Sequence, residues 1–594
     1  MLELHGWLGL QKKKLTIFRS AICTGLGYTG LGLTSFVAFT LPISAQTNRA
    51  NSLTPQIITP NLRSPSPQLP DQTPAPLPSP DELLNPSREP VAPQKEVPVT
   101  GTITVNQFEV LGSTVFTKAE LDQILNPFTK RPITFSELLQ ARSQITDLYT
   151  SRGYITSGAF IPTQNLQNGV VQIQVIEGGL EDIKVTGVER LSPDYVRSRM
   201  NIATGAPLNR DRLIQALQVL QINPLIASIS AELSAGTRDG QNILEVRIKE
   251  AKSLEAQLSL DNNRAPSVGS LRRKVQISEA NLTGLGDTLN VAYSNTDGSN
   301  SYDLSYTLPI NPYNGTIAFA FNNGNSNVLE KPFNILDIYA NSTSYDFTFR
   351  QPIEQTPSQE IALGFTASYR ESLTSLLKIP FPLSAGADDN GVTKTTVLRA
   401  FQEFTQRSSQ SVISLRSQFN VGLGGVFGSN VNTRFPDSRF VSWRGQSQYV
   451  NLLAPDTFLL LRGDLQLGDR ALLPSEQIGF GGQDTLRGYR QDVLLGDNGL
   501  NLSAELRLPI LRVPEWEGLL QLVPFVDAAA VWTSSGEANS SSNTLLGTGL
   551  GLRWRVGNTL DLRLDYGIPL ISVPNSRNTA QENGLYFNLN FTGF

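Results

Sequence analysis

Leu500-Asn501-Leu502-Ser503-Ala504-Glu505-Leu506-Arg507-Leu508 puts every apolar side chain on one phase and every polar one on the other. A period of two marks a strand, because successive side chains point to opposite faces. One face of this strand is wholly apolar, while the other carries Glu505 and Arg507. That combination suits a wall between lipid and water. The same alternation recurs from about Ser253 to Phe594, at Leu289-Tyr293, Tyr302-Leu308, Ile317-Phe321, Tyr345-Phe349, Ile361-Tyr369, Leu459-Leu467, Leu550-Val556 and Leu560-Tyr566. Charged Arg553, Arg555, Asp561 and Arg563 keep to the polar phase.

A large soluble β-sandwich or solenoid would show the same period. Aromatic residues near segment ends (Tyr293, Tyr302, Tyr345, Tyr369, Trp443, Tyr449, Tyr566) favour a transmembrane β-barrel with interfacial girdles. After Ala45 no uninterrupted apolar run is long enough for a membrane helix. A spanning strand needs ~9–11 residues plus its connection, so residues 253–594 are expected to form about 16 antiparallel strands.

Composition agrees. The chain has 594 residues, 48 Gly and only 17% charged residues, against ~25% in an average soluble protein. The only His is His5 and the only Cys is Cys23. Both lie in a stretch with the order of a secretory signal peptide: Lys12, Lys13, Lys14 and Arg19, an apolar run from Leu31 to Leu41, then Ile43-Ser44-Ala45. An uncleaved anchor is the alternative, although Gly25, Gly27, Gly30 and Gly32 weaken a spanning helix. Cleavage after Ala45 leaves no His and no Cys. Structural zinc, a Cys or His nucleophile, a Ser-His-Asp triad and disulfides are then excluded. Removing four basic groups and one acid takes the net charge from −4 to −7, giving no basic excess for nucleic acid. No catalytic residue, metal site or cofactor is expected. Gly25-Leu26-Gly27-Tyr28-Thr29-Gly30 matches a dinucleotide fingerprint, but no strand precedes it inside the signal.

Between the signal and the barrel the pattern changes twice. Residues 46–100 hold the prolines from Pro55 to Pro98 and read as a periplasmic linker or plug, with a short helix near Asp81-Leu84. Residues 101–178 then read as one small α+β unit and 179–252 as a second with the same β-α-α-β-β order. The first is expected to contain a strand Ile103-Val110, helices Lys118-Leu125 and Phe135-Ser151, and strands Ala159-Pro162 and Val170-Ile176. The second is expected to contain a strand at Ile183-Val185, helices near Pro193-Met200 and Arg210-Leu220, and strands Ile229-Leu233 and Ile243-Ile248. Repetition of the order carries more information than either copy.

Phe480-Gly481-Gly482-Gln483-Asp484-Thr485-Leu486-Arg487-Gly488-Tyr489 resembles the [VIL]-R-G-[FY] loop motif of outer-membrane polypeptide-transport barrels. Pro524-Phe525-Val526-Asp527-Ala528-Ala529 resembles the F-x-D strand motif that partners it. Gly153-Tyr154-Ile155 with Val170-Gly178, and Asn223-Pro224-Leu225 with Ala231-Glu232-Leu233, resemble first and second POTRA domains. Together the chain resembles the TpsB (ShlB/FhaC/HecB) haemolysin secretion/activation family over residues 100–594. An outer-membrane protein assembly factor of the same superfamily is the alternative, although those usually carry three or more POTRAs.

The resemblance implies an outer-membrane transporter with periplasmic POTRAs that capture an unfolded, TpsA-like exoprotein, without catalysis. The barrel's other partners would be outer-membrane lipid and the barrel-assembly machinery that inserts it. It also implies an inward-folded loop carrying Leu486, Arg487, Gly488 and Tyr489, with Phe525 and Asp527 on the wall as partner. Asp527 shares its phase with Gln521, Val523 and Phe525, opposite Leu520, Leu522 and Val526, which agrees with the inward position that the resemblance implies. Phe594 is out of phase with Leu585, Phe587, Leu589 and Phe591, so either a bulge intervenes or it lies beyond the last strand.

Overall fold

The computed structural model describes residues 80–86, 101–165, 169–433, 436–534, 543–573 and 578–593. The expected signal, most of the Pro-rich stretch and Phe594 lie outside them. Among the described residues, sixteen antiparallel strands close into a barrel running from Leu254–Asp261 to Leu585–Gly593, with a two-residue strand at Ile379–Pro380 added to one edge. Closure is made by pairing Ala256–Asp261 with Asn588–Gly593. No described helix is long and apolar enough to cross a membrane.

Burial separates this barrel from a soluble sandwich. Leu502 and Val526 are each 52% exposed, whereas Glu505 and Asp527 are 2% and 1% exposed. The apolar phase therefore faces out and the charged phase faces in, the reverse of a soluble core. From the sixth strand (Tyr339–Gln355) onward the connections alternate in length. Turns 356–358, 408–410 and 455–456 lie on the side of the N-terminal units, and loops 423–440 and 469–497 lie opposite. Short periplasmic turns and long external loops are the expected asymmetry.

The first α+β unit forms where capping and pattern agree. Thr117 with Glu120 starts the helix Lys118–Leu125, and Thr134 with Glu137 starts Phe135–Ser151; each pair is a reciprocal capping box that satisfies otherwise orphaned N–H groups. Leu138, Ala141, Ile145 and Tyr149 pack the longer helix on Phe108, Val171 and Ile173. The expected first strand is two, Thr102–Val105 and Gln107–Leu111, and a strand Arg131–Thr134 that periodicity did not reveal pairs with the former. Gln107–Leu111 runs parallel to Val170–Ile176, and Gly158–Phe160 forms the opposite edge.

The Gly153 and Gly178 motifs prove to be joints. Gly153, with φ +84°, ends the long helix, and its carbonyl accepts the Arg210 N–H at 2.8 Å. Glu177 accepts the N–H groups of Thr114 (2.7 Å) and Val115 (3.1 Å) and the Tyr149 hydroxyl (2.8 Å). Burial pushes the Glu177 carboxyl up, but the Thr114 and Tyr149 hydrogen bonds outweigh it and hold the group below its ordinary value.

The second unit follows the expected order, with helices Pro193–Ala203 and Arg210–Gln221 and strands Gly179–Thr186, Ile226–Ala235 and Gln241–Glu250. Its sheet has a fourth member. Pro80–Leu83 forms the short helix, and Leu84–Pro86 adds in parallel to the edge strand Ile226–Ala235. Leu83 and Leu84 are buried in the unit's core. Residues 80–86 of the Pro-rich stretch are thus a docked segment rather than a spacer.

This unit is seated on the barrel. The Ser192 N–H donates to the Gly284 carbonyl at 2.8 Å, Arg190 pairs with Glu279 at 2.8 Å, and Arg199 donates to Asn314 at 2.7 Å. A Cβ on Gly286 would lie 2.5 Å from the Tyr195 ring, so only glycine lets the turn approach.

Candidate functional site in the barrel lumen

The connection between the eleventh strand (Thr457–Gly468) and the twelfth (Asn498–Val513) folds into the barrel instead of away from it. Two short strands, Ile478–Phe480 and Leu494–Gly496, pair to stiffen its stem. Phe480, Leu486, Tyr489 and Leu494 pack on Ala529, Val531 and Leu545 of the wall, which gives the loop an apolar core. The tip is held by charge.

Arg487 is 1% exposed. Its Nε donates to Asp527 Oδ2 at 2.7 Å and its Nη2 to Oδ1 at 2.8 Å, a two-pronged contact that only a guanidinium can make. The Arg487 N–H also donates to Asp527, at 3.1 Å. On its other side Nη1 donates to Glu505 at 3.0 Å, and the guanidinium carbon sits 3.4 Å from the centre of the Phe525 ring. Asp527 further accepts the Ser503 hydroxyl at 2.7 Å. Arg487, Phe525 and Asp527 therefore meet where the alternation of the thirteenth strand (Gly518–Trp532) turns Phe525 and Asp527 inward, while Leu486 packs in the loop's apolar core.

Gly488 has φ +99°, and a Cβ there would lie 2.9 Å from Pro569 N. Its N–H donates to the Tyr586 hydroxyl at 2.9 Å, which itself donates to the Tyr489 carbonyl at 2.7 Å. The Tyr489 hydroxyl lies 2.7 Å from the Leu546 carbonyl and accepts the Ile571 N–H at 3.1 Å. Two wall glycines make room. A Cβ on Gly547 would fall 2.0 Å from the Arg487 carbonyl, and one on Gly567 2.3 Å from the Gly488 nitrogen. Gly547→Val is accordingly expected to lift the tip while leaving the barrel's backbone pairing whole. Higher planar-bilayer conductance with unchanged heat-modifiability is the expected result, and unchanged conductance would contradict it.

A family profile described as haemolysin secretion/activation protein ShlB/FhaC/HecB matches residues 240–554, and a POTRA domain profile of ShlB type matches 103–178. The chain belongs to this family. The haemolysin secretion/activation barrel is 24% identical over 503 residues to the outer membrane transporter CdiB of Escherichia coli, covering 79% of each chain. It is 22% identical over 413 residues to the heme/hemopexin transporter protein HuxB of Haemophilus influenzae, covering 66% of this chain and 70% of that one. The solved structure of Escherichia coli CdiB superposes with a TM-score of 0.65 at 21% identity, covering 85% and 93% of the two chains.

Several contacts of this secretion barrel's loop escaped sequence reasoning. Glu505 lies between Arg487, Arg507 (2.8 Å) and Arg563 (3.0 Å), and Asp565 accepts from Arg563 at 2.7 Å and from Gln483 at 2.9 Å. The polar phase placed Glu505, Arg507 and Arg563 inward but could not say which would meet the loop. Tyr586 had a readable signal. It is the one aromatic on the lumen phase of a last strand whose other aromatics, Phe587 and Phe591, face lipid. Two latches elsewhere on the loop were invisible: Glu476 on Arg399 (2.9 Å), and Arg490 on Glu330 (2.8 Å) and Glu582 (3.3 Å).

Proposed function

We propose that this outer-membrane secretion transporter captures an unfolded exoprotein on its first POTRA domain and passes it through the barrel when the Arg487 loop leaves Asp527. The reading rests on one observation above others: a loop bonded to the inner wall through a buried bidentate pair, in a barrel whose short-turn side carries two POTRA-like units. A passive pore needs neither the loop contact nor the units. An assembly factor with three or more POTRAs would need more chain than lies between residues 101 and 252.

Capture by strand addition suits the first unit, because backbone hydrogen bonds make few sequence demands. Its edge strand Gly158–Phe160 carries the exposed Phe160, although the Ala159 N–H is held by the Thr146 hydroxyl at 3.0 Å and an incoming strand must displace that bond. The matching edge of the second unit is covered by Leu84–Pro86. Lipid contacts the exposed apolar phase, and the barrel-assembly machinery inserts the barrel. The work proposed is non-covalent transport, and the chain after Ala45 has no His or Cys for a Cys or His nucleophile or a Ser-His-Asp triad.

Co-expression with a candidate exoprotein tests the reading, with Thr237→Cys as a topology marker. The expected result is exoprotein in the medium only when the transporter is present, and a thiol shielded from impermeant reagents in intact cells. Equal release without the transporter, or labelling of Thr237→Cys from outside, would overturn it.

A further inference from the structure

One wholly buried side chain joins the loop to the seam between the first and last strands. Gln581 lies in a short helical turn, Gln581–Asn583, just before the sixteenth strand and is 0% exposed. Its Oε1 accepts the N–H of Gln491, two residues past Tyr489, at 2.9 Å. Its Nε2 donates across the seam to the carbonyls of Asn262 and Arg264, the latter at 2.8 Å. Asn262 follows the first strand directly and extends the seam with its side chain, donating to the Leu585 carbonyl at 2.9 Å and accepting the Phe587 N–H at 2.9 Å. Both polar atoms of the Gln581 amide are thus used, Oε1 on the loop and the two Nε2 hydrogens on the stretch that follows the first strand. Neighbouring bonds run in the same sense, since Tyr586 on the last strand holds both Gly488 and Tyr489.

We propose that Gln581 is a positioning residue that couples the loop to the seam, so that release of the loop and loosening of the first–last strand pairing occur as one event. When Gln491 withdraws, the Gln581 carbonyl loses its donor in a dry site, a cost that favours departure of the whole turn and with it the bonds to Asn262 and Arg264. Coupling of this kind is reciprocal: fixing the seam must hold the loop. The inference rests on the loop being the moving part in transport, but its test reads loop movement rather than secretion, so failure of either reading is distinguishable.

Ser259 and Asn590 are register partners across the seam, with the Ser259 hydroxyl donating to Asn590 Oδ1 at 2.7 Å. Ser259→Cys with Asn590→Cys would lock the seam on oxidation. Loop release is read from Ala529→Cys, a wall position 2% exposed beneath the loop, by alkylation measured on its own peptide in a Cys23→Ser background. Oxidation of the seam pair is expected to slow that alkylation about 10-fold, within the usual range of coupling between sites. Gln581→Ala should speed alkylation and reduce the effect of the lock to about 2-fold or less, because the connection is gone. A purely structural Gln581 would leave the oxidised-to-reduced ratio unchanged, which would overturn the proposal. So would an alkylation rate indifferent to the lock when Gln581 is present, a result that does not depend on how Gln581→Ala folds.

Discussion

Arg487→Ala is expected to insert into the outer membrane nearly as well as the parent chain and to secrete its exoprotein at least ~10-fold less. Insertion survives because the barrel's backbone hydrogen bonds close on themselves and do not pass through the loop. Secretion fails because Asp527, 1% exposed, loses the guanidinium that positions the loop before its release, while Glu505 keeps Arg507 and Arg563. Removing one member of a buried pair typically costs ~3–5 kcal/mol, far more than an exposed ion pair provides. Asp527→Ala should fail in the same way, since it strands the guanidinium instead. Arg487→Lys should not rescue, because an ammonium cannot contact both Asp527 oxygens and Glu505 while lying flat on the Phe525 ring. Secretion assays paired with heat-modifiability separate the two effects; an Arg487→Ala barrel that secretes normally would contradict the account.

Deleting residues 102–178 is expected to abolish secretion while a heat-modifiable barrel remains in the membrane. The first unit has its own core around Ile145, Tyr149 and Val171, and the bonds seating the N-terminal region on the barrel come from the second unit, through Arg190, Ser192 and Arg199. Its loss therefore removes the expected capture edge at Gly158–Phe160 without disturbing that seat. Normal export by the deletion would remove the capture role assigned to the first unit.

Much of this architecture was legible because a barrel wall imposes a strict rule on every residue. A strand between lipid and a wet lumen must alternate, so Leu500 to Leu508 reveals its own two faces, and the phase of Asp527 agreed with the inward position that the family resemblance implied. The helix Phe135–Ser151 was legible for a similar reason, from the helical spacing of Leu138, Ala141, Ile145 and Leu148. What escaped depends on contacts distant in sequence. Arg131–Thr134 is too short and too polar for periodicity to reveal, and becomes a strand only because Thr102–Val105 lies beside it. Leu83 and Leu84 sit among prolines, and nothing local distinguishes a docked strand from a spacer until the edge Ile226–Ala235 is in place. The motif named Arg487 and Asp527 as partners, yet Glu505, Gln581 and Glu330 are fixed by the path of a long loop through the lumen, which no local pattern encodes.

Secretion by the double variant Arg487→Ala/Asp527→Ala, compared with each single variant at equal barrel levels, tests the central claim most directly. If the two side chains act as one contact that positions the loop, neither charge is stranded in the double variant, and its secretion should be no worse than that of either single change. Losses that multiply in the double variant would show two independent roles and would contradict the account.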